Sequence, residues 1–105
     1  MPDEYIREVA KCDGFDIFIE HPNSIMLDGG FSYEGMGSQG FGYDCIDMEF
    51  ITRLMAVFKV KNFNKIKGNL CYVTHNHSDI KLIEPIFRDD GMSFDVHLWA
   101  SKRFK

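Results

Sequence analysis

Two groups of residues in this chain have the types and spacing to do chemistry. The first is the stretch EGMGSQGFGYDCID, with glycines at Gly35, Gly37, Gly40 and Gly42, and with Phe41 and Tyr43 among them. Glycine lets a ligand or a second strand approach the backbone closely. The stretch runs straight into an amphipathic segment at Asp47, and the first turn of a helix offers unpaired N–H groups to an anion. A ligand-binding corner would look like this, and so would a glycine-kinked strand packed on a helix. The spacing is neither GxGxxG nor a P-loop, because no Gly-Lys-Ser/Thr follows.

The second group is His75-x-His77 with Asp79 two residues on. Two imidazoles and a carboxylate within one turn can begin a zinc site, but a third strong ligand (His97, Cys71 or His21) would have to come from elsewhere. A solvated polar turn explains the same residues, so no metal site is assigned. No G-x-S-x-G occurs, and each cysteine sits in or near an apolar strand, where a thiol is usually inert. Glu34, Asp44 and Asp47 are close in sequence, which establishes no acid–base geometry. No catalytic residue and no cofactor is therefore assigned.

The elements that must hold these residues form one domain, 1–105, of α+β class: an antiparallel sheet with one principal helix across it. Tyr5 to Ala10 and Phe15 to Glu20 read as strands joined by a turn at Asp13-Gly14. His21-Pro22-Asn23 breaks the second strand, Ser24 to Leu27 resumes it, and Asp28-Gly29-Gly30 reads as a turn. Asp47 to Phe58 is the helix: Asp47 caps it, and Phe50, Ile51, Leu54, Met55 and Phe58 share one face. Asn69 to His75 and Ile80 to Phe87 follow as strands. Ser93 to Ala100 alternates Phe94, Val96 and Leu98 against Asp95, His97 and Trp99, and is expected to be a last strand.

A net charge of −4 speaks against a binder of polymeric nucleic acid, which needs a basic face. Three separated cysteines without a CxxC fit a reducing cytosol. No signal peptide or membrane span is evident, so a cytoplasmic location is expected. An aromatic-rich chain this short would bury its strands better as a homodimer or larger assembly.

The segment GMGSQGFGYDCIDMEFITRLMAVFKVKNFNKIKG resembles a family of small phage proteins. Their pattern runs Gly-aromatic-Gly-x-Gly-Phe-Gly-Gly-Tyr-x-Leu-Asp, then a helix Phe-Ile-x-x-Leu-Leu-x-Val and a Leu-x-Gly-Lys turn. Here Gly35-Met36-Gly37, Gly40-Phe41-Gly42-Tyr43, Ile46-Asp47, Phe50-Ile51-Thr52-Arg53-Leu54-Met55-Ala56-Val57 and Ile66-Lys67-Gly68-Asn69 follow it in turn. Met36 replaces a tryptophan, one glycine is missing, and the tail from Ser93 has no counterpart. The likeness covers about residues 35 to 87 and is to the first-described anti-Thoeris family. It implies an α+β homo-oligomer in the cytoplasm of a bacterial host. Such a phage sponge holds a cyclic ADP-ribose isomer, or another cyclic nucleotide signal, without cleaving it, in pockets at subunit contacts.

A ligand with flat bases and phosphates calls for aromatic faces and for arginines or backbone N–H groups. Gly40, Phe41, Gly42 and Tyr43 are the expected base-side contacts, and Arg53 and Arg88 the expected phosphate contacts. Arg7 is a further candidate, and the single tryptophan, Trp99, is a candidate stacking lid or oligomer anchor. For each of these, core packing or a solvated surface is the competing explanation. A different function stays open: an inhibitor or scaffold of phage origin that binds a host protein through an acidic surface. A small metal-dependent nucleotide hydrolase trails both.

Overall fold

The computed structural model describes residues 4–35, 37–76, 78–86 and 92–103. Six antiparallel strands form one sheet in the order β3-β2-β1-β4-β5-β6, and two helices accompany it. The α+β class is therefore as expected. The strands are β1 (Ile6–His21), β2 (Ser24–Tyr33), β3 (Ser38–Gly40), β4 (Leu70–His75), β5 (Ile80–Pro85) and β6 (Phe94–Asp95). The helices are α1 (Met48–Phe58) and α2 (Val96–Arg103), with a short 3-10 turn at Phe63–Lys65.

The hairpin at the start differs from the sequence expectation. Asp13-Gly14 does not turn the chain. It is a bulge inside one sixteen-residue strand, with Gly14 at φ +108° absorbing the extra residue. The turn falls at Pro22-Asn23, where proline presets the first angle and Asn23 takes φ +72°, the residue order of a type II turn. Asp28-Gly29-Gly30 is likewise not a turn but the middle of β2. A Cβ on Gly29 would overlap the Phe15 ring and the Gly14 carbonyl, and one on Gly30 would lie 2.8 Å from the Gln39 carbonyl oxygen. These glycines admit close neighbours rather than reverse the chain.

Helix α1 forms as its sequence dictates. The Asp47 carboxylate accepts from the Phe50 N–H at 2.9 Å, and Lys59 ends the helix at φ +55° with its N–H turned back to the last carbonyls. Phe50, Leu54 and Val57 are buried against Phe31, Phe94, Cys71, Val73 and Ile83.

The last element is the main correction. Only Phe94–Asp95 pairs with β5, and the chain then becomes helical. Asp95 caps α2 by accepting the Leu98 N–H at 2.9 Å. Alternation had placed Leu98 inside and Trp99 outside, yet Leu98 is exposed and Trp99 is buried with Val96. The same letters satisfy a helical spacing, Val96, Trp99 and Ala100, and the aspartate cap decides between the two periods. Trp99 is thus a core residue rather than a surface lid. Its ring meets Phe50 edge-on, and its indole N–H donates to Asp47 at 3.0 Å, tying α2 to the start of α1.

Candidate functional site

The glycine-rich stretch is fastened along the outer side of β2. Phe41 donates its N–H to the Gly29 carbonyl (2.8 Å), Leu27 and Tyr43 exchange two bonds (2.9 Å each), and Ile46 donates to Ile25 (3.0 Å). This clamp fixes what each predicted site residue can do. Phe41 is buried in a ring cluster with Phe15, Phe31, Tyr43 and Phe50, at centroid distances of 5.3 to 6.0 Å. It is a packing residue. Gly42 is there for a packing reason too, because a Cβ would sit 3.2 Å from the Leu27 carbonyl oxygen. Neither Gly40 nor Gly42 has a positive φ, whereas Gly37 earlier in the stretch does, at +88°.

Gly40 and Tyr43 behave differently. A Cβ on Gly40 would meet nothing closer than 3.9 Å, so the fold does not demand glycine at that position. Tyr43 is half-buried, edge-on to Phe41 and to Trp99, and burial pushes its phenol up to about 12, with the Asp79 carboxylate adding to the effect. Together with Gln39, Ser78, Asp79 and Ile80, the stretch Gly40 to Tyr43 lines a small cleft of about 100 Å³.

One edge of this cleft carries hydrogen-bonding and ionisable groups that sequence order did not bring together. The Asp79 carboxylate accepts from the Tyr5 hydroxyl at 2.9 Å and pairs with His97 Nε2, while the Tyr5 and His97 rings meet edge-on. Beside it, His75 Nε2 lies 2.7 Å from Glu8, and its ring stacks on Tyr33 at 4.0 Å. Tyr33 donates to the Gln39 side chain, which in turn donates to the Asn76 carbonyl. Burial, with Glu8 second, pushes the Tyr33 phenol well above its ordinary range. Each imidazole is thus engaged with a carboxylate of a different element. Among the described residues no three metal-ligating side chains converge. His77 lies outside the described residues.

The arginines do not join the cleft within one chain. Arg53 pairs with Glu49 one turn back on α1 (2.9 Å) and lines a separate groove of about 430 Å³ with Met48, Thr52, Ala56 and Met92. Arg7 is held on the opposite face of the sheet from α1, by Glu84 at 2.8 Å and the Tyr72 ring at 3.9 Å. Arg88 lies outside the described residues. A larger cavity, about 650 Å³, opens elsewhere, between Val57, Phe58 and Lys59 at the end of α1 and Leu70, Pro85 and Ile86. Its walls mix apolar residues with Lys59, Gly68 and Asn69, and no motif in the sequence marks it.

Compared with known protein families, with curated proteins and with solved structures, the chain matches none. No helix among the described residues is long and apolar enough to cross a membrane.

Proposed function

We propose that this protein is a non-catalytic phage anti-defence protein that captures a cyclic nucleotide signal, of the cyclic ADP-ribose isomer class, and acts as a homo-oligomer in the bacterial host cytoplasm. The observation that carries the proposal is the cleft lined by Gly40 and the half-buried Tyr43, where a glycine stands without a packing need. The likeness of the glycine stretch and helix to the anti-Thoeris family supplies the ligand class. Asp79 sets the orientation: a carboxylate suits a base amino group or ribose hydroxyls and repels a phosphate. The base or sugar therefore occupies the cleft and the phosphates lie beyond it, with Arg88 as the candidate cation. Arg53 contributes only if another subunit presents it.

Volume supports the oligomer. A small-molecule pocket usually measures about 300–1,000 Å³, and this cleft is several times smaller, so one chain supplies part of a site. The test is to incubate the protein with a cyclic ADP-ribose isomer, remove free ligand, heat the complex and analyse what is released by mass spectrometry. Recovery of the intact nucleotide supports capture. Recovery of a cleaved product would make the Asp79–His97 pair a hydrolytic centre instead, and no retained nucleotide would reject the proposal in favour of a protein partner.

A further inference from the structure

The sheet has three strand edges open to a partner among the described residues, and two of them are short. β3 and β6 offer three and two residues. The third edge is the distal half of β1. Its first half pairs with β4 only from Ile6 to Lys11, and Cys12 is met by Gly68 and Asn69. Beyond Gly14, β1 is paired on the β2 side alone.

The direction of its unpaired groups follows from β2. Gly29, Leu27 and Ile25 bond outward, to Phe41, Tyr43 and Ile46. In an antiparallel ladder, directly opposed residues point their N–H and C=O groups either both toward each other or both away. Their partners Phe15, Ile17 and Ile19 therefore aim N–H and C=O at the open edge. One face of this edge is apolar, Phe15, Ile17 and Ile19, with Ile17 37% exposed and Ile19 75%, and on the other Phe18, 41% exposed, stands beside Asp16. A long apolar edge of this kind is what lone domains avoid.

We infer that this edge pairs with the same edge of a second copy, antiparallel about a two-fold axis through Ile17. The edge is self-complementary. With Ile17 opposite the partner's Ile17, Phe15 faces the partner's Ile19, and the outward groups of three residues on each side form a continuous ladder. Moving the axis to Phe18 carries Phe15 past the register shift between Ile19 and His21, leaving outward partners only to Ile17 and Ile19. Moving it to Asp16 sets that carboxylate against the partner's Asp16, a like-charge pair that destabilises a ladder. The axis at Ile17 sets Asp16 against the partner's Phe18 and avoids the clash. Beside Phe15 and Asp16 the edge opens on a groove of about 370 Å³, lined also by Phe63, Asn64 and Lys67, which gives the incoming strand room. An isologous contact of this kind closes at two subunits.

The inference deepens the homo-oligomer element of the function proposed above and is independent of the nucleotide. Sedimentation of the full chain at micromolar concentration is expected to give a mass of about 24 kDa, twice the 12.2 kDa of one chain. Ile17→Pro removes an N–H that serves no bond within the chain, and Ile19→Lys places a charge at the junction. Both are expected to give monomers with the far-UV spectrum of the parent. Register is read by single cysteines in a Cys45→Ser background, since Cys45 is an exposed thiol. Opposed Cα atoms at Ile17 would be about 5.5 Å apart, within disulfide reach, whereas two Ile19 positions would be about 13 Å apart. Ile17→Cys should thus cross-link under mild oxidation much faster than Phe18→Cys or Ile19→Cys. A monomeric parent, fastest cross-linking at Phe18, or a dimer untouched by Ile17→Pro and Ile19→Lys would each overturn the inference. Failure of nucleotide capture by an intact dimer would overturn the functional reading alone.

Discussion

The two glycines of the cleft should respond in opposite ways to the same added methyl group. At Gly42 the new Cβ would lie 3.2 Å from the Leu27 carbonyl oxygen and 3.4 Å from the Asp28 carboxylate. Both belong to β2, and the two bonds between Leu27 and Tyr43 hold that strand against the segment. Relief requires the segment to lift off β2 by a few tenths of an ångström, an overpacking that costs about 1–3 kcal/mol. At Gly40 the nearest atom is 3.9 Å away and φ is not positive, so alanine fits. Alanine there should add about 0.4–1 kcal/mol by reducing the freedom of the unfolded chain. For a domain of this size 1 kcal/mol moves the thermal midpoint by about 4–8 °C. Gly42→Ala should therefore melt visibly below the parent and Gly40→Ala at or above it. Urea unfolding should place the two midpoints on opposite sides of the parent. Ligand binding should follow the other order: Gly40→Val puts bulk into the cleft wall and abolishes capture in a protein that is still folded. If Gly40→Ala were as destabilising as Gly42→Ala, the assignment of one glycine to packing and the other to the cleft would be wrong.

Further expectations rest on other contacts. Phe41→Ala should cost about 3–5 kcal/mol as a core cavity, read as a loss of urea midpoint, because its ring is enclosed by four others. Asp47→Ala removes the cap of α1 and the acceptor of the Trp99 indole together, so it should exceed the ~1 kcal/mol typical of a cap; a smaller loss would show that the indole bond contributes nothing. Alkali should destabilise the fold. Burial holds the thiols of Cys12 and Cys71 at about 11 and about 12 and the Tyr43 phenol at about 12. Each group keeps its proton to a higher pH in the folded chain than in the unfolded one, so its contribution is intact below pH 9, the ordinary thiol value, and is lost as pH rises through 11 to 12. Urea midpoints that stay level between pH 8 and 10.5 would contradict this. A His75→Ala/His77→Ala double variant should retain ligand capture under chelation, since His75 is already held by Glu8 and stacked on Tyr33.

Much of the fold was legible because local signals agreed. Asp47 followed by Phe50 and Leu54 specifies α1 from its cap to its buried face; of the other residues assigned to that face, Ile51, Met55 and Phe58 are only half-buried, and Val57 is buried in addition. Where signals were ambiguous, tertiary contacts decided. Asp13-Gly14 and Asp28-Gly29-Gly30 carry turn residues, yet glycine serves equally for a bulge and for close strand packing, and only the neighbours distinguish these uses. The stretch from Ser93 to Ala100 satisfies both periods, and the Asp95 cap favours the helix. At the candidate site, sequence reasoning singled out the glycine segment but not the partition between Phe41 inside and Tyr43 at the cleft. It also could not find Tyr5, Asp79 and His97 as one cluster, because these residues meet only through the packing of β1, β5 and α2. Arg53 was grouped with the cleft by its nearness in the chain, and the helix turns it to another face.

The most direct test of the central claim is calorimetric titration of a cyclic ADP-ribose isomer into the parent and into Tyr43→Ala, with the nucleotide recovered afterwards by heating. Stacking of a base on an aromatic ring accounts for about 1–3 kcal/mol, so Tyr43→Ala should weaken binding roughly tenfold to a hundredfold, and the nucleotide should come back intact. A parent that binds none, or a Tyr43→Ala variant that binds as tightly as the parent, would contradict it.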